Sequence, residues 1–210
     1  MSKPTATLKP RKSPVQSRSM ATVSALYTAT IQVLTLHGLS QCTTTRVAER
    51  AGISVGSLYQ YYPNRDALLA AVLEKHLEGV SSAIEVACNL QRNKPIAEMA
   101  AALVTALLNA KLRDPNESKA LYAIAAERGG AELAGKAHAR IVNAIQAMLA
   151  SALDADFDEP AVTALIAFNA LIGPVKACLQ GHAPPHFEAE LEKHLVRLLT
   201  AYLQTHRKLA

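Results

Sequence analysis

Apolar residues recur at three- and four-residue intervals along most of the chain. Glycine, proline and asparagine break that rhythm into separate segments. Val23, Leu26, Tyr27, Thr30, Ile31 and Leu34 predict a helix over 18–37, and Gly38 ends it. Two short segments follow. In the first, Val47, Ala48 and Ala51 share one face, with Thr43 or Thr44 as its cap. Gly52 supplies a turn, since a positive φ is cheap only for glycine. Ser54 caps the second, Leu58 anchors it, and it stops before Pro63. A long fourth helix opens at Pro63 or Asn64 and runs to about residue 90. Further helices are predicted near 95–112, 117–128, 131–153, 159–180 and 187–206, so the fold class is all-α. Residues 161–179 are apolar nearly all round, which predicts burial on most sides. The last helix is amphipathic, with Leu191, Leu195, Leu198, Leu199 and Tyr202 on one side.

Two short helices around a glycine turn form a helix-turn-helix, whose second helix suits a DNA major groove. Thr44, Val47, Ala48, Ala51, Gly52, Ile53, Ser54, Gly56, Leu58, Tyr59, Tyr61, Tyr62, Arg65, Leu68 and Leu69 fill the motif positions. Over roughly residues 20–73 this pattern resembles the TetR family of transcriptional regulators. The resemblance implies an N-terminal three-helix DNA-binding domain and a C-terminal helical ligand-binding and dimerisation domain. The implied organisation is a basic arm at 1–17, a DNA-binding domain at 18–66 and a body at 67–210. It further implies a homodimer, through the helices near 159–180 and 187–206, and a small-molecule effector held between the linking helix and the next four helices.

Charge agrees with a DNA-reading end. Residues 1–66 hold eight Lys and Arg against two Asp and Glu, whereas residues 67–210 hold fourteen against fifteen. The basic arm carries Lys3, Lys9, Arg11 and Lys12; it either helps on DNA or is a solvated tail. Three scattered cysteines, Cys42, Cys88 and Cys178, make no disulfide framework, which fits a reducing cytoplasm. The first twenty residues lack the apolar core of a secretory signal. The uncharged run Pro160–Val175 is short for a membrane span.

On the reader, Ser54, Val55, Gly56, Ser57, Tyr59 and Gln60 are the candidate groove residues. Gln60 has the amide pair for a bidentate contact to adenine, and Val55 and the Tyr59 ring can meet thymine methyls. Thr44, Thr45, Tyr61 and Arg65 are candidate phosphate contacts, and Arg46 suits either a base or a phosphate. Tyr62 takes the buried aromatic position of the family pattern. Polar groups within the apolar helices, His76, Asn109, Tyr122, Glu127, Asn143, Gln146 and Asn169, are the candidate effector contacts, against the plainer reading of exposed or satisfied side chains. Cys178, His182 and His186 sit four apart, but Gly181, Pro184 and Pro185 break the helix that would align them, so no metal site is predicted. The acidic run at Asp154–Glu159 lacks a calcium loop's glycine and distal glutamate. No cofactor is expected.

The sequence therefore predicts a ligand-responsive, DNA-binding regulator, acting as a repressor on a palindromic operator. An activator or ligand-independent regulator is the alternative within the class. An all-α carrier or enzyme is the alternative outside it, and it lacks a nucleophile–base pair, a metal set and a phosphate-binding glycine loop.

Overall fold

The computed structural model describes residues 17–127 and 129–206. These form nine α-helices and one short 3-10 helix, so the protein is all-α. The helices are α1 (Ser17–His37), α2 (Thr44–Arg50), α3 (Val55–Tyr61), α4 (Arg65–Leu90), α5 (Ile96–Leu112), α6 (Pro115–Ala125), α7 (Gly130–Leu149), α8 (Pro160–Leu179) and α9 (Phe187–Gln204). The 3-10 helix, Leu39–Gln41, follows α1. The basic arm expected at 1–17 lies almost wholly outside the described residues.

The chain divides into two compact units, with the division falling inside α4. The first takes the chain up to Leu77 together with Asn116–Ala134; the second takes Glu78–Pro115 and Gly135 onward. Helix α6 completes the core of the first unit: Leu121 and Ile124 are buried with Leu26, Leu34, Val47, Leu58, Leu69 and Leu73. The Tyr27 hydroxyl donates to Glu117 at 2.5 Å, a bond ninety residues apart in sequence that local periodicity cannot reveal. Gly130, at the start of α7, lies close against the end of α6. A Cβ on Gly130 would stand 2.3 Å from the Ile124 carbonyl oxygen and 2.8 Å from Ala125 Cα.

In the second unit α5 packs on α8 and α9, and α8 on α9. Ile96, Met99, Leu103 and Leu107 form the α5 contribution to the core. Leu191, Leu195, Leu199 and Leu203 form that of α9. This four-residue series leaves Leu198, expected on the same side, 48% exposed. Helix α7 ends at Leu149, short of the expected 153, because the next residues cap α5. Asp154 Oδ1 accepts from the Ile96 backbone N–H at 2.8 Å, and Ser151 Oγ accepts from that of Asn93 at 3.0 Å. Arg140 of α7 grips Glu85 of α4 in a two-bond fork, with Nη2 to Oε2 at 2.6 Å, and also meets Glu78. Hydrogen bonding to Arg140 lowers the Glu78 pKa.

Helix α8 departs from the expected burial. Thr163, Ala164, Ala167, Phe168, Leu171, Val175 and Leu179 are inside, but Val162, Leu165 and Ile166 remain 46, 44 and 48% exposed. The helix also outruns the uncharged sequence, passing Lys176 to reach Leu179. Both α8 and Ser19–His37 in α1 have the length and hydropathy to cross a membrane. In α1, Leu26, Ala29, Val33 and Leu34 are buried in the first unit's core.

Candidate nucleic-acid interface

The reading pair is built by two caps and one turn. The Thr43 side chain accepts from the Arg46 backbone N–H at 3.3 Å and starts α2. Ser54 Oγ accepts from the Ser57 N–H at 3.0 Å and starts α3. Between them Gly52 has φ 69°, and the Ile53 N–H returns to the Ala48 carbonyl at 3.0 Å. Val47, Ala48 and Leu58 are fully buried and fix both helices on α1 and α4. Tyr62 is buried as expected. Asn64 caps α4, its Oδ1 accepting from the Ala67 N–H at 2.8 Å.

With Leu58 turned inward, Ser54, Gly56, Tyr59 and Gln60 of the α3 segment stand exposed. Gly56 has only Ser54 Oγ within reach of an added Cβ, at 3.8 Å. The Tyr59 hydroxyl lies 3.2 Å from Thr44 Oγ1, so one side chain from each helix is held on a shared polar surface with exposed Thr45. Ser57 Oγ is 2.8 Å from Ser54 Oγ. Val55 and Tyr61 are half-buried against the core, and Ser19 Oγ is 3.5 Å from the Tyr61 hydroxyl.

The arginines are placed by partners that periodicity does not announce. Arg46 Nη1 donates to the Gln41 carbonyl at 3.0 Å and to its side-chain oxygen at 2.7 Å. Arg50 Nε donates to Gln32 Oε1 at 2.6 Å. Arg65 turns inward, donating to the Cys42 carbonyl at 2.7 Å and the Leu39 carbonyl at 2.6 Å. Its Nη1 lies 3.9 Å from Glu127 Oε2. The guanidinium expected to face a phosphate thus ties the 3-10 segment to the start of α4. Burial pushes the Cys42 thiol pKa up, with Arg65 opposing in part, so Cys42 is a small core residue and not an activated thiol.

The seven candidate effector contacts are divided between the units. His76 Nδ1 lies 3.3 Å from Glu117 Oε1 in the first unit, which also holds Tyr122 and Glu127. In the second, Asn109 is exposed on α5 and Gln146 is half-buried on α7. Asn169 is exposed on α8, its side-chain N–H donating to the Leu165 carbonyl at 2.8 Å. Asn143 lines an open, charged groove of about 600 Å³ with Glu85, Asn89, Lys136 and Arg140. Sequence reasoning passed over Lys111 on α5, which is buried, with desolvation lowering its pKa to about 8. Among the described residues no group of three or more His, Cys, Asp or Glu side chains is placed to hold a metal ion.

Residues 26–72 match the family profile of bacterial regulatory proteins of the tetR family. Residues 95–203, more than half the chain, match the tetracyclin repressor-like C-terminal domain. Among solved structures, a TetR-family transcriptional regulator from Mesorhizobium loti superposes with a TM-score of 0.75 at 19% identity, over 92% of this chain and 100% of that one. SmeT, the repressor of the Stenotrophomonas maltophilia multidrug efflux pump SmeDEF, gives 0.68 at 17% identity over 90% and 93%. The fatty acid degradation regulator FadR from Bacillus halodurans gives 0.65 at 17% over 84% and 97%. A comparison with curated proteins finds no match. With capped reading helices at one end of the sequence and the family's C-terminal domain over most of the rest, the chain belongs to the TetR family of DNA-binding transcriptional regulators.

Proposed function

We propose that the protein is a homodimeric repressor that occupies a palindromic operator in the cytoplasm and is released by a small-molecule effector. One observation carries the DNA-reading part: α3 buries Leu58 and displays Ser54, Gly56, Tyr59 and Gln60, polar or glycine, from a capped start. Gln60 reads adenine, the Tyr59 ring meets a thymine methyl, and Thr44 and Thr45 at the α2 N-terminus hold phosphate. Arg46, steadied by Gln41, supplies charge. Tyr61 serves as a phosphate donor. Arg65 acts as a positioning residue, since its donors are engaged within the fold.

Dimerisation is supported by α8 and α9. Val162, Leu165 and Ile166 share one exposed face, which costs free energy in water until a partner covers it. Two readers related by a two-fold axis would occupy successive major grooves, roughly 34–36 Å apart. An effector that prefers the conformation with mis-spaced readers lowers operator affinity by its differential binding free energy. SmeT and FadR are by name a repressor of a drug-efflux pump and a fatty-acid degradation regulator, which supports an apolar effector for this chain.

Fluorescence anisotropy on duplexes recovered from the source genome tests the reading. Gln60→Ala should lose about 1–3 kcal/mol on the selected site and little on random duplex. A folded protein that binds no duplex at low salt would remove DNA reading from the account. Equal losses on both duplexes would remove Gln60 as a base reader.

A further inference from the structure

The first unit has a cavity that the DNA-reading surface does not use. It lies between the last turn of α1 with the following 3-10 helix and the outer side of α6, and its volume is about 350 Å³. Leu34 and Leu39 contribute apolar surface from one side, and Ala120 and Ala123 from the other. Lys119 is the single ionisable side chain in the lining, and Asn116 stands with it on α6. Both are exposed, and neither is engaged by another described residue. Their neighbour Glu117 is occupied elsewhere, by Tyr27 and His76. The cavity thus joins an apolar wall to one uncommitted cation and one uncommitted amide.

We infer that this α1–α6 cavity is a ligand site for a small carboxylic acid with an apolar body, separate from any effector site in the second unit. Size supports the assignment. At ~30 Å³ per water, the space equals roughly a dozen waters, or a compact molecule of about ten non-hydrogen atoms. Its volume falls at the lower end of the range for ligand pockets. Chemistry selects the class. A carboxylate takes the Lys119 ammonium as a charge-assisted partner and the Asn116 amide as a second donor. Its hydrocarbon part covers Leu34, Leu39 and the two alanines, removing apolar area from water. An ammonium group would meet Lys119's repulsion with only the neutral Asn116 and Thr35 oxygens to offset it, and a neutral alcohol would forgo the ion pair. The walls come from two helices far apart in sequence, so the ligand binds only where α6 is seated on α1. It stabilises that arrangement by linkage.

Octanoate, octanol and octylammonium are the probes, titrated into the full-length protein and followed by backbone amide NMR shifts. Octanoate should shift the Gly38, Leu39, Lys119 and Ala123 amides saturably, with a dissociation constant on the order of a millimolar. Octanol should bind several-fold more weakly, and octylammonium should leave these amides unmoved. Lys119→Glu should weaken octanoate about tenfold, and Ala123→Phe, which fills the space, should abolish the shifts. Both positions are exposed, so helicity and thermal midpoint should stay close to wild type. Octanoate shifts confined to second-unit amides would overturn the site. Equal binding of the three probes, or octanoate affinity unchanged in Lys119→Glu, would overturn the ligand class.

Discussion

The reading surface of the first unit and helix α8 of the second treat water in opposite ways. At the reader, Leu58 and Val47 are inside, while Ser54, Tyr59 and Gln60 are outside. Helix α8 leaves Val162, Leu165 and Ile166 exposed, and the same unit buries Lys111. A polar face meets water at little cost while unoccupied, so the reader is stable before it finds DNA. An exposed apolar face is costly and remains so until it is covered. A buried lysine is costly in its charged form. Under the proposed function, the contrast assigns each unit its partner: DNA for the first, a second copy of α8 for the second.

The largest expected effect breaks the apolar side of this contrast. Leu165→Glu combined with Ile166→Glu should convert the protein to monomers across micromolar concentrations. Two carboxylates in an apolar interface cost several kcal/mol, at least a hundredfold in dissociation constant. Light scattering after size-exclusion chromatography would show it, and an unchanged mass would place the interface elsewhere. Next, Leu58→Ala should destabilise the first unit by about 3 kcal/mol, through lost transfer energy plus a cavity. Urea unfolding would report the loss, together with lost DNA binding.

The smallest effect concerns Lys111. Its folded-state pKa of about 8 lies below the ordinary 10.5. Below pH 8 both states carry the proton, and burial of the charge destabilises the fold. As pH rises from about 8 to about 10.5, the folded state loses the proton first, and this residue's contribution to stability becomes more favourable. The stability difference between Lys111→Met and wild type should therefore shift in the wild type's favour as pH rises above 8. Cys88, whose thiol burial pushes up to about 12, has the opposite pH trend, and comparing the two proteins cancels it. Equal urea midpoint differences at pH 7 and 9.5 would remove Lys111 as the source.

Much of the reader was legible because its determinants are local. The cap of α3 is Ser54, three residues from the Ser57 N–H that it accepts from, the turn is Gly52 with its positive φ, and Leu58 marks the inward face by its place in the helical repeat. The arginines were not legible. Arg65 is held by carbonyls at residues 39 and 42, and Arg50 by Gln32, pairings with no periodic signature. For the same reason the seven effector candidates could be selected by polarity alone, and the fold distributes them over both units.

The amino-acid order by itself determined nine helical segments, their breaks and the helix-turn-helix, because capping, glycine turns and helical periodicity are short-range effects. Tertiary structure alone decided that α6 closes the first unit's core, that α8 keeps one apolar face in water, and that Lys111 is buried. Those outcomes depend on which surfaces meet across a hundred residues. An amphipathic pattern says that a face wants a partner, but only packing decides which helix supplies it.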